Sequence, residues 1–520
     1  MKNHEPKRIV SFSSMTRRQV LQGFGMLGTS SLMMGAMSAW DLMGEPAGPK
    51  PILQGTHPGT KVIILGAGLS GLIIAYELGK LGYDCRILEA RNQVGGLTWT
   101  VRGGDSHTEL GEGEHQVCQY DEDLYFNAGA WRIPNADKGI IDYCAELGVS
   151  LELFVNSSDA NYLYQEDPSK GQLAKKKVRL GEIKADLWGS TNELLAKALD
   201  QGQIDAPLSE EDKELLIEFL VNSGYLDSAD YVYRPPAIRG SQERYDLAAL
   251  LQSGFGNSVR SLVRVTGGPD PVFQPIGGMQ KICFAFAEAI GDGIILGSEV
   301  QKITQTDDVV RVVYKDTETG QEYEETADYC ACCLPMSILK KININLSPEM
   351  ATVVANSEHS SSAKMGLQMK RRFWEEDDGI FGGHIFGRSL QIGEFSYPSN
   401  DYFTKKGILL GFYADGTIAD LENRPVQERI DYVLQQASKV HPQMREEFES
   451  AYCVWWDKIK YSEGAYSRRP DDEALAQLSK ADGRIYLGSA GASKRPAWLE
   501  GAVASAWRTV ESIHKRVEQG

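Results

Sequence analysis

The chain has 520 residues, of which 42% are hydrophobic and 24% are charged, and its formal net charge is -17 at pH 7. This length exceeds that of one ordinary domain and is sufficient to bury a large core. The acidic balance argues against nucleic acid and anionic membranes as partners, because charge repulsion would oppose their encounter.

The first 50 residues are predicted to precede the folded part of the chain. Arg17 and Arg18 stand before a glycine-rich, weakly apolar run that is too short and too interrupted to span a membrane. The pattern resembles a twin-arginine export signal, with cleavage expected near Ser38 or Ala39, and such signals carry folded proteins. The protein would then be periplasmic or secreted. The alternative is a disordered basic arm on a cytoplasmic protein.

From residue 61 the pattern is strand, glycine turn, helix and strand. Residues 61–65 form a β-rich apolar run, residues 72–81 have helical apolar spacing, and residues 84–88 form a second strand that ends on Glu89.

The turn between this first strand and the helix has the pattern GxGxxG, formed by Gly66, Gly68 and Gly71. The first glycine permits a tight turn, the second lets the backbone approach a pyrophosphate, and the third lets the helix pack against the strand. The helix N-terminus favours phosphates, and Glu89 is placed to accept hydrogen bonds from a ribose. The segment therefore predicts a dinucleotide site.

The middle of the chain is predicted to be mainly helical over residues 180–265, with a capping signal at Ser209 and Asp212. Alternating patterns then return. They predict a strand at 298–303 and a hairpin after it, antiparallel strands within 361–415, a helical stretch over 425–451, and a last strand, turn and helix from GRIYLGSAG onward.

The eight cysteines follow no disulfide spacing, and three of them cluster in ADYCACCLP. Neither a histidine nor a second cysteine pair lies at ligand spacing, so we expect small buried side chains on a strand that ends at Pro335 and predict no metal site. Neither HExxH nor the spacing of a nucleophile elbow around Ser70 occurs.

A second glycine pair follows the acidic residue in EARNQVGG, residues 89–96. This combination resembles the flavin-dependent amine oxidase family, and the resemblance extends through most of the chain after residue 60. It implies FAD, held non-covalently because Ala465 stands where monoamine oxidases carry the cysteine that links to flavin. The residues that the resemblance assigns to FAD are Gly66, Gly68, Gly71, Glu89, Ala90, Arg91, Gly95, Gly96, Gly129, Ala130, Val300 (through its backbone), Ser489 and Ala490.

The fold expected from these patterns and this resemblance is α/β. It combines a Rossmann-like FAD-binding domain built from discontinuous segments, an α+β substrate-binding domain with an antiparallel sheet, and a helical insertion. The expected boundaries are 1–50 for the signal and linker; 58–125, 268–335 and 480–520 for the FAD-binding domain; 126–155 and 336–479 for the substrate-binding domain; and 156–267 for the helical domain.

The substrate residues come from the resemblance, which is nearest to bacterial-type L-amino acid oxidases in YFNAGAWRIP. A rigid guanidinium at Arg132 suits an α-carboxylate, although it could instead pair with a structural acid. Tyr397 matches the tyrosine that contacts this carboxylate, or is an ordinary strand aromatic. The Ala497 carbonyl would receive the amine, Trp498 would flank the flavin, and Trp131 would line the side-chain pocket.

Lys364 is the catalytic candidate, and its alternative is an exposed lysine opposite an apolar strand face. The resemblance implies that it holds a water near flavin N5, where burial would disfavour its charged form. The implied reaction converts L-amino acids, preferably large neutral or aromatic ones, and dioxygen to 2-oxo acids, ammonia and hydrogen peroxide. A tryptophan-type flavin monooxygenase, an amine oxidase and a flavin-loaded binding protein stay open, and a homodimer is expected.

Two positions depart from the family pattern. Leu97 stands where family members usually have arginine, and Ser489-Ala490 replaces a Gly-Glu pair. Arg91 or Arg102 could supply the missing positive charge near the pyrophosphate.

Overall fold

The computed structural model describes residues 47–111, 113–203, 208–235, 244–255, 271–385, 390–415, 418 and 420–519. Arg17, Arg18, Ser38 and Ala39 lie outside these residues, so the export signal stays a prediction. Within the described part of the chain, no helix combines the length and apolar character that crossing a membrane requires.

Residues 47–50, which the sequence pattern places before the folded part of the chain, already contact it. The Ala47 N–H donates to the Glu500 carboxylate at 3.2 Å, and the Lys50 ammonium donates to Glu146 at 2.9 Å.

A six-stranded sheet carries the glycine turn. Five strands are parallel and a sixth pairs antiparallel at one edge. In spatial order the strands are Ile294–Ile295, Asp84–Leu88, Lys61–Leu65, Tyr329–Cys332, Ile485–Leu487 and Ala481–Asp482. The central strands are covered on both faces, which explains their nearly continuous apolar runs. The three clustered cysteines are buried here, as expected.

Alternate residues of the central strands point into two different cores. Val62 and Ile64 pack with helices on one face, whereas Ile63 and Leu65 pack under a second sheet on the other. The helices are Leu69–Lys80, Lys138–Glu146, Gln280–Ile290 and Leu499–Gln519. The second sheet has the order Glu322–Ala327, Val310–Asp316, Ser298–Gln305 and Asn343–Ile344.

An antiparallel sheet of five strands forms the other large body of the fold. Its order is His384–Ile385, Phe395–Ser396, Gly407–Asp415, Ser362–Met369 and Phe448–Trp455. The helix Val426–Ala437 packs against it through a shared apolar core. The predicted helical stretch over 425–451 is therefore wrong at its end, where only Met444–Glu447 is helical and a strand follows.

The helical region contains Leu180–Asp200, Glu210–Gly224 and Leu247–Ser253. Ser209 and Asp212 form the predicted capping box. Residues 204–207, 236–243 and 256–265 of the predicted region lie outside the described residues. The expected α/β fold, with an antiparallel second sheet and a helical insertion, is confirmed, and the domain boundaries stay predictions.

Short elements connect these bodies. The remaining strands are Thr100–Arg102, Ser106–Thr108, His115–Val117, Tyr125–Asn127, Ile133–Pro134, Leu151–Leu153, Tyr162–Tyr164, Lys177–Arg179, Val272–Pro275, His359–Ser360 and Tyr466–Ser467. The remaining α-helices are Met336–Leu339, Pro348–Asn356, Phe373–Glu376 and Asp472–Leu478.

Candidate active site

A cavity of about 650 Å³ runs between the parallel sheet and the antiparallel sheet. One end is lined by the glycine turns, and the other by side chains of the antiparallel sheet and the chain before the last helix. Its size and its mixture of apolar walls with a few polar groups are those of a cofactor and substrate site.

The three glycines after the first strand each have a distinct structural reason. Gly66 has φ +96°, and a Cβ on Gly71 would lie 2.1 Å from the Gly66 oxygen. A Cβ on Gly68 would meet no described atom within 4 Å, and Gly68 caps the helix Leu69–Lys80. The helix therefore starts three residues before the predicted position, and its N-terminus lies at the cavity. This arrangement is suited to a pyrophosphate.

The second glycine pair lies directly against the first turn. Gly95 pairs with Gly68 in an isolated parallel bridge, and both Gly95 (φ +126°) and Gly96 (φ +53°) have backbone conformations that disfavour side chains. The two glycine segments together form one wall of the cavity, where backbone rather than side chains faces a ligand.

Glu89 is buried at the end of the second strand, as predicted. Its carboxylate accepts hydrogen bonds from the N–H groups of Ala67 at 2.8 Å and Arg91 at 2.9 Å. A carboxylate has about four lone-pair positions, so it can still accept from a ribose. Nearby, the strand Ser298–Gln305 has a bulge between Val300 and Lys302, which interrupts the ladder where the resemblance places an adenine.

Arg91, and not Arg102, brings a guanidinium to the cavity. Arg91 lines the wall beside Leu97 and donates to the Ser462 hydroxyl, and burial lowers the pKa of its guanidinium. Arg102 donates to the Gly277 carbonyl and does not line the cavity. Arg91 thus supplies a positive charge close to Leu97, the position at which family members usually have arginine.

Ser489-Ala490, the second position that departs from the family pattern, also faces the cavity. Ser489 and Ala490 line the wall after the strand Ile485–Leu487, and the Ser489 hydroxyl is buried with no hydrogen-bond partner among the described residues. A buried hydroxyl in this state favours a ligand that completes its hydrogen bonding. The glycine wall, Glu89, Arg91 and this hydroxyl together fit FAD.

Lys364 lies at the other end of the cavity and is only 3% exposed. All eight residues of its strand are buried, so the exposed-lysine alternative is wrong. Its ammonium donates to the Gly129 carbonyl at 2.5 Å and lies over the rings of Tyr413 (4.5 Å) and Trp131 (5.2 Å). A buried ammonium held in this way can position a proton or a water.

Gly129 has a packing reason for lacking a side chain. A Cβ there would lie 1.9 Å from the Leu97 oxygen, and the next residue, Ala130, donates its N–H to that oxygen at 2.8 Å. This close approach places the carbonyl that holds Lys364 beside the second glycine segment.

Arg132 and Trp131 line the same end as Lys364. The Arg132 guanidinium lies 5.1 Å from the Trp131 ring, and its buried Nε has no hydrogen-bond partner among the described residues. The ion pairs of the described residues do not include Arg132, so the structure does not support the alternative of a structural salt bridge. Burial, and to a smaller extent the charge of Arg132, lower the pKa of His384 to about 3.

Tyr397 does not line the cavity, contrary to the sequence-based expectation. It is 1% exposed in the core of the antiparallel sheet, where its hydroxyl lies 2.6 Å from His441 Nε2. Tyr413 lines the cavity instead, directly opposite Lys364 in the strand register. The sequence did not identify Tyr413 as a site residue. Its place in the strand GILLGFYAD could have made it a candidate, but the sequence does not show which strand pairs with this one.

The chain before the last helix closes this end. Ala497 and Trp498 both line the cavity, as expected. Arg495 anchors the loop that contains Ala497 and Trp498, because its guanidinium donates to the Asp137 carboxylate at 2.6 Å. Burial raises the pKa of Asp137 to about 6 although Arg495 opposes the shift.

Comparison with known proteins gives a consistent result. A family model described as flavin containing amine oxidoreductase matches residues 69–514. The flavin-dependent L-tryptophan oxidase RebO of Lentzea aerocolonigenes is 26% identical, over 87% of this chain and 98% of that protein. The L-amino-acid oxidase of Gloydius halys is 23% identical, over 90% of this chain and 91% of that protein.

A solved structure shares the fold. A putrescine oxidase variant from a structure-based redesign of cofactor binding has a TM-score of 0.58 and 20% identity, with coverage of 88% of this chain and 99% of that chain.

Proposed function

The chain belongs to the family of flavin containing amine oxidoreductases and uses FAD, and from this premise we propose that it is an L-amino-acid oxidase. The single observation that carries the proposal is Arg132, a cavity guanidinium with an unpartnered Nε and no carboxylate partner among the described residues. A planar guanidinium can bind an α-carboxylate through two parallel charge-assisted hydrogen bonds, whereas a simple amine offers it no partner.

FAD, when bound, supplies the two-electron oxidation of the carbon–nitrogen bond and the return of those electrons to dioxygen. Glu89, Arg91, Ser489 and the backbone at Val300 would hold it. Ala465, which the resemblance places at the flavin-linking cysteine of monoamine oxidases, lines the cavity and offers no thiol, which supports non-covalent binding.

The chain's own residues orient the substrate and move its protons. Arg132 binds the carboxylate, and the Ala497 carbonyl accepts a hydrogen bond from the amine. Lys364, held by the Gly129 carbonyl, positions a proton or water beside the reacting atoms. The products are a 2-oxo acid, ammonia and hydrogen peroxide, after water hydrolyses the imino acid.

Large neutral or aromatic side chains are the preferred substrates in this proposal. The Trp131 ring packs in edge contacts against Phe154 at 5.2 Å and Tyr413 at 5.7 Å, and these contacts fix its position at the substrate end. A fixed aromatic surface favours an apolar or aromatic side chain over a charged one. The relative named as an L-tryptophan oxidase supports the same preference.

Anaerobic mixing of the purified holoenzyme with separate compounds tests the proposal. The panel contains L-tryptophan, L-leucine, L-glutamate, D-tryptophan and tryptamine, and the readout is loss of flavin absorbance. We expect bleaching by the L-amino acids, fastest with tryptophan or leucine. Equal bleaching by tryptamine would identify an amine oxidase, and no bleaching by any compound would leave a binding protein.

Aerobic product analysis separates the oxidase from a monooxygenase. An oxidase forms the 2-oxo acid and hydrogen peroxide in equal amounts, whereas a tryptophan-type monooxygenase forms an amide and carbon dioxide. Amide as the main product would contradict the proposed reaction while leaving the carboxylate-binding role of Arg132 intact.

A further inference from the structure

A cluster of metal-ligating side chains lies outside the cavity, where the chain before the first strand meets the last helix. His57, His514 and Glu518 each offer one ligand atom, and these atoms all lie within 4.8 Å of one another. None of the three lines the cavity. The backbone of His57 is fixed, because its N–H donates to the Leu81 carbonyl at 2.8 Å.

The His514 ring is fixed by hydrogen bonds at both of its nitrogens. It is buried, and its Nδ1 lies 3.0 Å from the Tyr83 hydroxyl. Its other nitrogen, Nε2, lies 3.6 Å from Glu518 Oε1 and donates a hydrogen bond to the Gln54 carbonyl at 2.9 Å, because a carbonyl oxygen can only accept. A metal ion would replace this Nε2 proton, and Nδ1 would then donate to the Tyr83 hydroxyl, which is the usual arrangement of a metal-bound histidine.

The other two ligands complete the set. His57 Nε2 is buried and has no hydrogen-bond partner among the described residues, which an ion would remedy. Glu518 follows His514 by four residues, so both lie on one face of the helix. Its side chain is 51% exposed and can adjust to shorten the distances to the two imidazoles.

Gly55 places backbone beside two of the ligand atoms. A Cβ at this position would lie 3.4 Å from His57 Nε2 and 3.5 Å from Glu518 Oε1, and its φ of +96° disfavours any side chain. The backbone therefore passes beside the ligand atoms without a side chain to block them.

We propose that this cluster binds one zinc ion through His57 Nε2, His514 Nε2 and Glu518, with the Gln54 carbonyl or a water as the fourth ligand. Two imidazoles and one carboxylate form a donor set that suits Zn²⁺ in tetrahedral geometry. Mg²⁺ prefers six oxygen ligands and does not match this set. A bound ion would join the segment around Gln54 to the last helix and raise the stability of the holoenzyme.

Zinc titration of the untagged holoenzyme, stripped with a chelator and competed against a chromophoric zinc indicator, tests the site. We expect one ion per chain and a higher thermal midpoint with zinc, but not with magnesium. The His57→Gln and Glu518→Gln variants should each weaken zinc binding by at least about tenfold. Matched controls are Glu211→Gln, on the helix Glu210–Gly224, and His115→Gln, both exposed positions on elements that carry no cluster residue.

Unchanged flavin absorbance and circular dichroism show that each variant is folded. The Glu518→Gln variant should fold normally because the Glu518 side chain is exposed. Wild-type zinc affinity in both cluster variants would overturn the proposal, as would equal weakening in the two controls. Absence of zinc uptake by the wild-type holoenzyme at micromolar free zinc would also overturn it. Catalytic turnover should not depend on zinc, because no cluster residue lines the cavity.

Discussion

Replacing Arg132 by alanine tests the carboxylate-binding role directly. The guanidinium can make two charge-assisted hydrogen bonds to a carboxylate, each contributing roughly 1.5–3 kcal/mol. Because Arg132 is only partly buried, we take the lower part of this range, about 3–4 kcal/mol for the pair. Each 1.4 kcal/mol changes an equilibrium tenfold, so the substrate Kd should rise on the order of 100- to 1,000-fold.

Anaerobic stopped-flow reduction of the flavin provides the measurement. The dependence of the reduction rate on L-amino acid concentration gives the Kd, and the absorbance spectrum shows that FAD is retained. Arg102→Ala is the matched control, since that guanidinium lies outside the cavity. The substrate Kd of Arg132→Lys should lie between those of Arg132→Ala and the wild type, because lysine keeps the positive charge but cannot make two parallel hydrogen bonds to a carboxylate.

A corresponding amine without a carboxylate makes the test specific. Tryptamine should bind the wild type and Arg132→Ala equally weakly, so the variant should lose its preference for the amino acid. An unchanged Kd for L-tryptophan, or an equal loss for tryptamine, would refute the reasoning and make Arg132 a structural residue.

Three further predictions follow from the same geometry. Lys364→Met should slow oxidative turnover by roughly 10²–10⁴-fold with FAD still bound, whereas the exposed Lys370→Met should not; wild-type turnover would exclude a role for Lys364. Gly129→Ala, whose Cβ would lie 1.9 Å from a backbone oxygen, should lower stability by about 1–3 kcal/mol in denaturant titrations, while Gly79→Ala, with nothing within 4 Å, should not. Burial lowers the pKa of His384 to about 3, so only the unfolded imidazole takes up a proton as pH falls below about 6.5. Stability should therefore fall by about 2 kcal/mol between pH 8 and pH 5 in the wild type relative to His384→Asn, and equal pH dependence of the two unfolding curves would contradict this.

The nucleotide end of the cavity was predictable because its signals are local. The turn at Gly66 needs a positive φ, the helix packs closely only without a Cβ on Gly71, and Glu89 ends the next strand at a fixed spacing. Each requirement acts within about 30 residues of chain, where residue type and spacing determine the backbone directly. The strands Lys61–Leu65 and Asp84–Leu88 accordingly have the predicted bounds.

The substrate end was less predictable because it depends on which strands pair. Residues 448–451 continue a helical pattern in sequence, yet they belong to the strand Phe448–Trp455, which pairs with the Lys364 strand. Both faces of Ser362–Met369 are buried, one in the apolar core of the antiparallel sheet and the other against residues such as Tyr120 and Phe126. Alternation alone could therefore not show that Lys364 is enclosed.

Sequence by itself determined the family, the FAD-binding glycine segments and the candidate residues Arg132, Lys364, Ala497 and Trp498. Tertiary structure alone decided that Tyr413, and not Tyr397, faces the cavity, because the register of Gly407–Asp415 against Ser362–Met369 sets Tyr413 opposite Lys364. Such pairing joins residues far apart in the chain, and its energy comes from burial and hydrogen bonds that no local pattern contains. Local geometry thus follows from residue type, whereas the assembly of distant side chains around a substrate follows from long-range packing.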